Sequence, residues 1–565
     1  MKLRKGLGLL APAVVIAMAA AACGGSSTTG GGGAGGGSSD QVKNGGVLKY
    51  GADQEPTGFN VNTSSDNGTA AQNVVIRVLP NTFYIHPDFT VQYDKELLSE
   101  DPKTETVNGK QVVTYKVKPE AVWSDGTPIN SDDFEYLWKS ITGKGFDVAS
   151  TTGFDQIESV TGQGSDKKTV LVTFAKPFAD WQSLFTNILP AHYMKAQESK
   201  FGGAKGAWEK SIKETLPVSG GPWLIKSFDK TSKVVTLVRN DKYWGTKPHL
   251  DSIVYQILSD SSQQPAALKN NEVDIIYPQP QLDLVAQVRK LEPEVKSEVN
   301  FGLSFEHLDM NTQNQFLKDQ KVRQAIAYAV DRAAIVKAGP AQFDSKASVL
   351  NNRIWLSNQK EYKDNGGEYA ARNVDKAKSL LQAAGFTPGA DGIMAKGGQK
   401  LSVRFSTTAG NKLRENTGVL VKSQLKEAGI DVRIDNVPSQ TLFGERLPGG
   451  NFDLALFAWV GSPYAASGNF AIYHSATAAN RQSNYGLLSD KRIDTAFEQV
   501  VGELDRQKVV DTLNQIDAYA WEDMVTIPLY QKPTFIGWRS TFGGIADNAS
   551  QQGPFWNSEG FYKKQ

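Results

Sequence analysis

The sequence carries few residue groupings that could perform chemistry, and each has a simpler structural explanation. Asp132 and Asp133 could act as a general acid and base, but they follow Asn130 at the predicted start of a helix. Carboxylates are stabilised there by the helix dipole. Ser165 and Lys168 have the spacing of a serine–lysine nucleophile, but they lie in a polar turn without companion motifs. Neither grouping predicts a catalytic centre.

The motifs for metal, phosphate and acyl-transfer chemistry are also missing from the sequence. The histidines form no close pair such as HxH or HExxH, which argues against a histidine metal site. They are His86, His192, His249, His307 and His474. There is no GxxxxGK[ST] phosphate loop and no GxSxG nucleophile elbow. We therefore predict a binding protein that is not an enzyme, with no catalytic residue, no metal and no cofactor.

The composition is that of a soluble globular protein. The 565 residues are enough for two or three domains. Lys and Arg number 61 and Asp and Glu number 60, so the net charge of +1 favours no nucleic-acid partner. Cys23 is the only cysteine, which excludes an internal disulfide and a cysteine-based zinc site.

The first 44 residues predict export and anchoring. Lys2, Arg4 and Lys5 precede the apolar stretch 6–22, which is typical of a signal peptide spanning 1–22. The following "AAAC" resembles the lipobox of bacterial lipoproteins, which implies that Cys23 is lipidated; the alternative is a plain secretory signal. Residues 23–44, rich in Gly and Ser, would form a flexible linker to a membrane anchor. No later segment has 18 consecutive apolar residues.

The elements that must position any site alternate between strands and helices. Period-2 patterns and apolar runs predict strands over 47–51, 112–117, 169–174, 401–408, 430–437, 452–460 and 525–538, and a β-meander over 221–258. Apolar residues at helical spacing predict helices from 131 to 141 and over 319–336, 374–384, 413–428, 491–504 and 506–522. This order predicts an α/β protein with at least two lobes.

Four stretches in order resemble one family. They are "VWSDGTPINSDDFEYLWKSI", "GPWLIKSF" with "LVRNDKYWG", "VRQAIAYAVDRAAIV" and "WEDMVTIPLY". Together they are similar to the peptide/nickel solute-binding proteins of ABC importers, the dipeptide- and oligopeptide-binding family. "FAWVGSPY", "PLYQKPTF" and "GPFWNSEGFY" further resemble an actinobacterial lipoprotein subgroup that includes proteins linked to mannosyl-lipid synthesis.

The resemblance implies a type II periplasmic-binding-protein clamshell of two α/β lobes. Lobe I would comprise 45–305 and 527–565 with an extra subdomain over 80–215, and lobe II would comprise 306–526. A small-molecule ligand would bind between the lobes, which close by hinge rotation. The partners implied are an ABC permease and ATPase, and the location is the outer face of the cytoplasmic membrane.

The candidate ligand-binding residues lie where predicted strands end at the cleft. In lobe I they are Gln54, Glu55, Phe59, Asn60, Tyr277 and Gln279. In lobe II they are Thr407, Thr408, Trp459, Gly461, Ser462 and Tyr464. Trp459 could stack on a ligand, and the loop that follows it offers backbone amides.

One position departs from the family pattern. Peptide-binding relatives typically carry an acidic residue three positions after this tryptophan, where it pairs with the α-amino group of the peptide. Here the position is Ser462, which cannot neutralise a buried ammonium group. The main hypothesis is an importer receptor for a peptide-like solute. The alternative is an envelope-associated binding or regulatory protein that recognises an oligosaccharide or glycolipid fragment without transport.

Overall fold

Two long strands, Val295–Met310 and Thr526–Arg539, form the middle of the main sheet and pair with each other in antiparallel register. The structure is a computed structural model that describes residues 42–438, 441–479 and 481–565. The register between the long strands shifts between Phe301 and Phe305 and again between Glu306 and His307. The ladder is therefore irregular where these strands cross the centre of the molecule.

The main sheet has ten strands and mixed direction. Its spatial order is Asp431–Ile434, Ser402–Ser406, Leu454–Val460, Val295–Met310, Thr526–Arg539, Ile275–Ile276, Val47–Ala52, Ser252–Ile257, Val234–Arg239 and Trp223–Asp229. Parallel pairs lie towards both ends, between Val47–Ala52 and its two neighbours and between Ser402–Ser406 and its two neighbours. Such a sheet requires helical crossovers, which matches the alternation in the sequence.

The remaining strands form smaller sheets. An antiparallel sheet has the order Lys103–Val107, Lys110–Lys116, Thr169–Phe174 and Ile157–Gln163. Phe83–Ile85 pairs with Val91–Tyr93, and Thr387–Pro388, Met394–Lys396 and Gln399–Lys400 form another sheet. Val42–Lys43, Tyr562–Lys564 and Phe542–Gly543 form the last.

The helices connect these strands and cover the sheets. They are Thr69–Val75, Ser131–Ile141, Ala191–Ala196, Glu198–Phe201, Ala204–Lys210, Gln264–Lys269, Leu282–Arg289, Gln320–Ala329, Arg332–Ala338, Val374–Ala383, Lys412–Glu427, Ala465–Tyr473, Lys491–Val500 and Arg506–Asp523. In the described ranges no helix combines the length and the apolar character needed to cross a bilayer.

The predicted start of the helix Ser131–Ile141 is stabilised by side-chain hydrogen bonds. Asn130 caps it, and its side chain accepts a hydrogen bond from Asp132 N at 2.9 Å. The Asp133 carboxylate accepts bonds from Asn130 N at 3.1 Å and Ala191 N at 2.9 Å. Burial raises the pKa of Asp133 to about 6. This acid therefore serves the fold.

Separate apolar cores lie on either side of the long strands. One contains buried side chains from residues 48–257 together with several from 536–561. Another contains side chains from residues 308–456 together with several from 521–530. Because each core draws on a different part of the chain, the described body is two lobes joined by a continuous sheet. The exact lobe boundaries, 45–305 with 527–565 and 306–526, remain a prediction, as does the subdomain over 80–215.

Several predicted elements are confirmed and one is wrong. The strand Thr169–Phe174 and the helix Val374–Ala383, followed by Gly385 at φ +89°, match the predictions. The single helix predicted over 319–336 is wrong, because it is two helices separated at Val330 and Asp331. Asp331 accepts a hydrogen bond from Ala334 N at 2.8 Å and so begins a new helix.

The N-terminal predictions lie largely outside the described residues. This applies to the signal peptide 1–22, to Cys23 and to most of the linker 23–44. At the end of that linker, Val42 and Lys43 form a strand paired with Lys564 and Lys563. Flexible coil was therefore the wrong expectation for these two residues, because the C-terminal strand offers them backbone partners.

Candidate functional site

A cavity of about 640 Å³ lies between two parts of the chain. One wall comes from residues between 61 and 187, from 277–280 and from 532–553. The other comes from Ser304 and from residues 460–468. The volume falls within the range of about 300–1,000 Å³ typical of small-molecule sites.

Strand ends position much of this wall. Val47–Ala52 and Ile275–Ile276 are parallel neighbours, so their carboxyl ends meet at one edge of the sheet. The chain beyond the first strand supplies residues 61–72, and the chain beyond the second supplies 277–280. The loop after Leu454–Val460 supplies the opposite side and leads into the helix Ala465–Tyr473. Ligands bind at such strand ends in open α/β sheets.

The lining contains many polar side chains but is almost uncharged. Side-chain amides that can both donate and accept hydrogen bonds come from Asn62, Asn67, Gln72, Asn81, Asn187, Gln279, Gln551 and Gln552. Tyr277 and Tyr464 add aromatic surface. Among the described lining residues, Lys532 is the only Lys, Arg, His, Asp or Glu. No group of three or more His, Cys, Asp or Glu that could hold a metal ion occurs in the part of the chain described.

Four of the predicted site residues line the cavity together. They are Tyr277, Gln279, Ser462 and Tyr464. The Tyr464 hydroxyl donates to the carbonyl oxygen of Gln182 at 3.1 Å, and its backbone N–H donates to Ser462 Oγ at 3.2 Å. The Gln279 side chain accepts a hydrogen bond from Lys532 Nζ.

Four other predicted residues lie elsewhere and are engaged in the fold. Phe59 is fully buried in an apolar core, and the Asn60 amide donates to the carbonyl oxygen of Trp208 at 2.8 Å. Thr407 is fully buried and donates to the carbonyl oxygen of Leu456 at 2.7 Å. Thr408 Oγ1 accepts a bond from Arg414 at 3.2 Å. None of the four is among the cavity-lining residues.

The last four predicted residues do not line the cavity either. Gln54 lines a separate small cavity, and Glu55 is exposed. Trp459 is stacked between His307 and Tyr485, with ring centroids 5.7 Å from each. The Gly461 N–H donates to the carbonyl oxygen of Leu303 at 2.9 Å, which fixes the loop that carries Ser462.

Lys532 is a functional candidate that the sequence analysis missed. It lies in the long strand Thr526–Arg539, which is otherwise largely apolar. Burial lowers its pKa to about 8, although the carboxylates of Glu306 and Asp53 act in the opposite direction. The available signal was the polar pair Gln531–Lys532 within "PLYQKPTF", because a charge in a buried strand needs a reason.

Glu306, whose charge acts on Lys532, is already paired with Arg414. Glu306 and Arg414 are 2% and 7% exposed, and the guanidinium contacts the carboxylate through Nη2 at 2.8 Å and Nε at 3.1 Å. Burial alone would raise the pKa of Glu306, but Arg414, together with Lys532 and His307, outweighs burial and lowers the pKa. Since the two charges largely cancel, Glu306 does not form an ion pair with Lys532.

Hydrogen bonds join the two sides of the cleft. The Asp180 carboxylate accepts bonds from Ser467 N and Ser467 Oγ, both at 2.8 Å. Ala179 N donates to the carbonyl oxygen of Val501 at 2.8 Å. Burial raises the pKa of Asp180. We call the Asp180–Ser467 bonds the cross-cleft contact, because they connect the two walls in the described conformation.

The family is shown by comparison with known proteins. The model of bacterial extracellular solute-binding proteins, family 5 Middle, matches residues 95–481. The oligopeptide-binding protein OppA of Mycobacterium tuberculosis is 31% identical over 519 residues, which cover 90% of this chain and 84% of that protein. The chain therefore belongs to family 5 of the bacterial extracellular solute-binding proteins. It is a solute-binding protein and not an enzyme.

Two further relatives bear on the fold and the ligand. The structure of the periplasmic EDTA-binding protein EppA has a TM-score of 0.86 and 27% identity, and the match covers 93% of this chain and 98% of that one. The probable monoacyl phosphatidylinositol tetramannoside-binding protein LpqW of Mycobacterium tuberculosis is 26% identical over 454 residues, or 74% of this chain and 68% of that protein. The two-lobe clamshell of type II is thus confirmed.

Proposed function

We propose that this protein is the extracytoplasmic receptor of an ABC importer and that it captures a peptide-like solute in the 640 Å³ cavity. The observation that carries the proposal is this cavity, lined from two sides, in a member of a solute-binding family. The similarity to OppA supports a peptide-like ligand. The amide side chains of the lining suit it as well, because they can pair with peptide N–H and C=O groups.

Closure would signal occupancy to the permease. A ligand that touches both walls gains contacts only in the closed form, and it shifts the equilibrium by its difference in affinity for the two forms. Tyr277 and Gln279 would contact it from one side and Ser462 and Tyr464 from the other. Closure also excludes water, so polar contacts inside become stronger.

The test is native mass spectrometry of the purified protein, followed by calorimetric titration with peptide libraries. A co-purified peptide, or a peptide bound with one-to-one stoichiometry, is the expected result. A conversion of the bound compound into product would contradict a binding role. A Tyr464→Ala variant that binds the same ligand as well as the parent would remove Tyr464 from the proposed contacts.

Anchoring through a lipid on Cys23 is part of the proposal. The basic residues, the apolar stretch and "AAAC" support it. The expected result is a membrane-bound protein whose N-terminal fragment carries acyl chains by mass spectrometry. Cys23→Ser should release the protein from the membrane, and retention of that variant would contradict the proposal.

A second candidate function is recognition of a glycan or glycolipid at the envelope without transport. The similarity to LpqW and the presence of Ser462 in place of an acidic residue favour it. A co-purified glycolipid would support this candidate, especially if deletion of the associated permease left the protein's phenotype unchanged.

A further inference from the structure

Lys532 brings one positive charge to a cavity wall that is otherwise uncharged. No Asp or Glu of the described residues lies within ion-pair distance of its ammonium group. Its hydrogen-bond partner is the neutral side chain of Gln279, which also lines the cavity. The lysine charge is therefore available to a molecule in the cavity.

The surrounding charges explain why this lysine remains unpaired. Glu306 forms an ion pair with Arg414. The Asp53 carboxylate lies beyond the 4 Å limit of an ion pair with Lys532 Nζ, although its charge still raises the pKa of Lys532. Lys532 is partly buried, and a partly desolvated ammonium group without a counter-ion is costly, so the structure gains when a ligand supplies the opposite charge. Gln279 can orient that ammonium group and leave its other protons free to donate.

The lining also lacks what a positively charged ligand would need. None of the described residues around the cavity carries a carboxylate. Ser462, which lines the wall, is neutral, and its hydroxyl oxygen accepts a hydrogen bond from Tyr464 N at 3.2 Å. A free amine would lose its hydration here without gaining a counter-charge.

We propose that the ligand is a carboxylate-bearing solute without a free ammonium group, and that its carboxylate pairs with Lys532 Nζ while the amide-rich wall binds its neutral part. This rests on the proposed function, because it names the charge of the solute that the same cavity takes. An N-blocked peptide or another acidic amide has this chemistry.

The experiment uses degenerate tripeptide libraries in four forms, with the amine free or acetylated and the carboxyl free or amidated. Binding is measured by calorimetry and native mass spectrometry. The acetylated acids should bind best, and amidation should weaken binding about tenfold to a hundredfold. Strongest binding by the free-amine amides, or equal binding by acids and amides, would overturn the inference and leave peptide binding intact.

Three variants separate charge from folding. Lys532→Met should abolish the preference for acids, whereas Lys532→Arg should retain it. Lys400→Met is the control, since Lys400 is exposed and pairs with Asp391 at 2.6 Å away from the cavity. Circular dichroism verifies that each variant folds. A preference for acids that survives in Lys532→Met would refute the role of this lysine.

Compounds that co-purify with the protein separate this inference from the proposed function. If no tripeptide binds but an acidic non-peptide co-purifies and is lost in Lys532→Met, the peptide proposal fails and the inference stands. A neutral or cationic compound in the cavity would overturn the inference.

Discussion

Raising the pH from about 7 to about 9 should weaken the binding of a carboxylate ligand. Burial lowers the pKa of Lys532 from 10.5 to about 8. The charged fraction therefore falls from about nine-tenths to about one-tenth over this interval. Because only the ammonium form attracts the carboxylate, the attraction is complete below the pKa and is lost above it. The expected loss of affinity is about tenfold.

The groups around Lys532 do not produce this profile themselves. Burial raises the pKa of Asp53 above the ordinary carboxyl value, so a change in the charge of this group would affect binding at acidic pH and not between pH 7 and pH 9. For Arg414, burial lowers the pKa, but Glu306 outweighs burial and raises it, so the guanidinium keeps its charge. Glu306 stays ionised for the same reason, because its pKa is lowered by that pairing.

The cavity tyrosines also keep their charge unchanged between about pH 7 and pH 9. Burial raises the pKa of both Tyr277 and Tyr464 above the ordinary value of 10. Neither hydroxyl therefore ionises between about pH 7 and pH 9. The lysine is left as the group in the wall that changes charge.

Calorimetric titrations of an acetylated acid peptide at half-unit pH steps provide the assay. Lys532→Arg should bind with an affinity that stays constant to about pH 9, because arginine keeps its proton. Lys532→Met should bind weakly at every pH. A flat profile in the parent protein, or an equal decline in Lys532→Met, would refute the reasoning.

Three further substitutions test the surrounding structure. Arg414→Met leaves Glu306 buried without its partner and should cost about 3–5 kcal/mol in urea unfolding, whereas the double variant with Glu306→Gln should recover part of the loss. No loss in the single variant would contradict the pairing. Asp180→Ala removes the cross-cleft contact and should reduce ligand affinity about tenfold or more in calorimetry; an unchanged affinity would show that closure does not depend on it. Gly461→Ala places a Cβ 2.5 Å from the carbonyl oxygen of Leu303 and should lower stability by about 1–3 kcal/mol, and a melting temperature equal to the parent's would contradict that clash.

Local elements could be predicted from the sequence because their signals are local. Asn130 and the acids after it define a helix start, and Gly385 and Gly429, at φ +89° and +86°, follow helix ends. The long strand Val295–Met310 was missed, although Val299, Phe301, Leu303 and Phe305 alternate with polar residues and glycine over 299–306. Its conformation is set by pairing with two distant strands, which no local window contains.

The cavity could be predicted only in part for a related reason. Tyr277, Gln279, Ser462 and Tyr464 follow strands that the sequence indicates, and loops after parallel strands meet at one edge. Lys532 lies inside the strand Thr526–Arg539, so a search for candidates at the ends of strands does not find it. The amides that line the wall come from segments such as 183–187 and 549–553, which are far apart in the sequence and meet only through tertiary packing.

The pairing of Val42 with Lys564 and of Lys43 with Lys563 places both ends of the described body side by side. Fluorophores attached at these ends would keep a fixed separation during ligand capture and so provide an internal reference for energy transfer. A second pair placed near positions 182 and 468, across the cleft, would change its separation when the lobes part. The same adjacency makes a circular permutant practicable, with its ends joined by a short linker and new ends opened in an exposed loop.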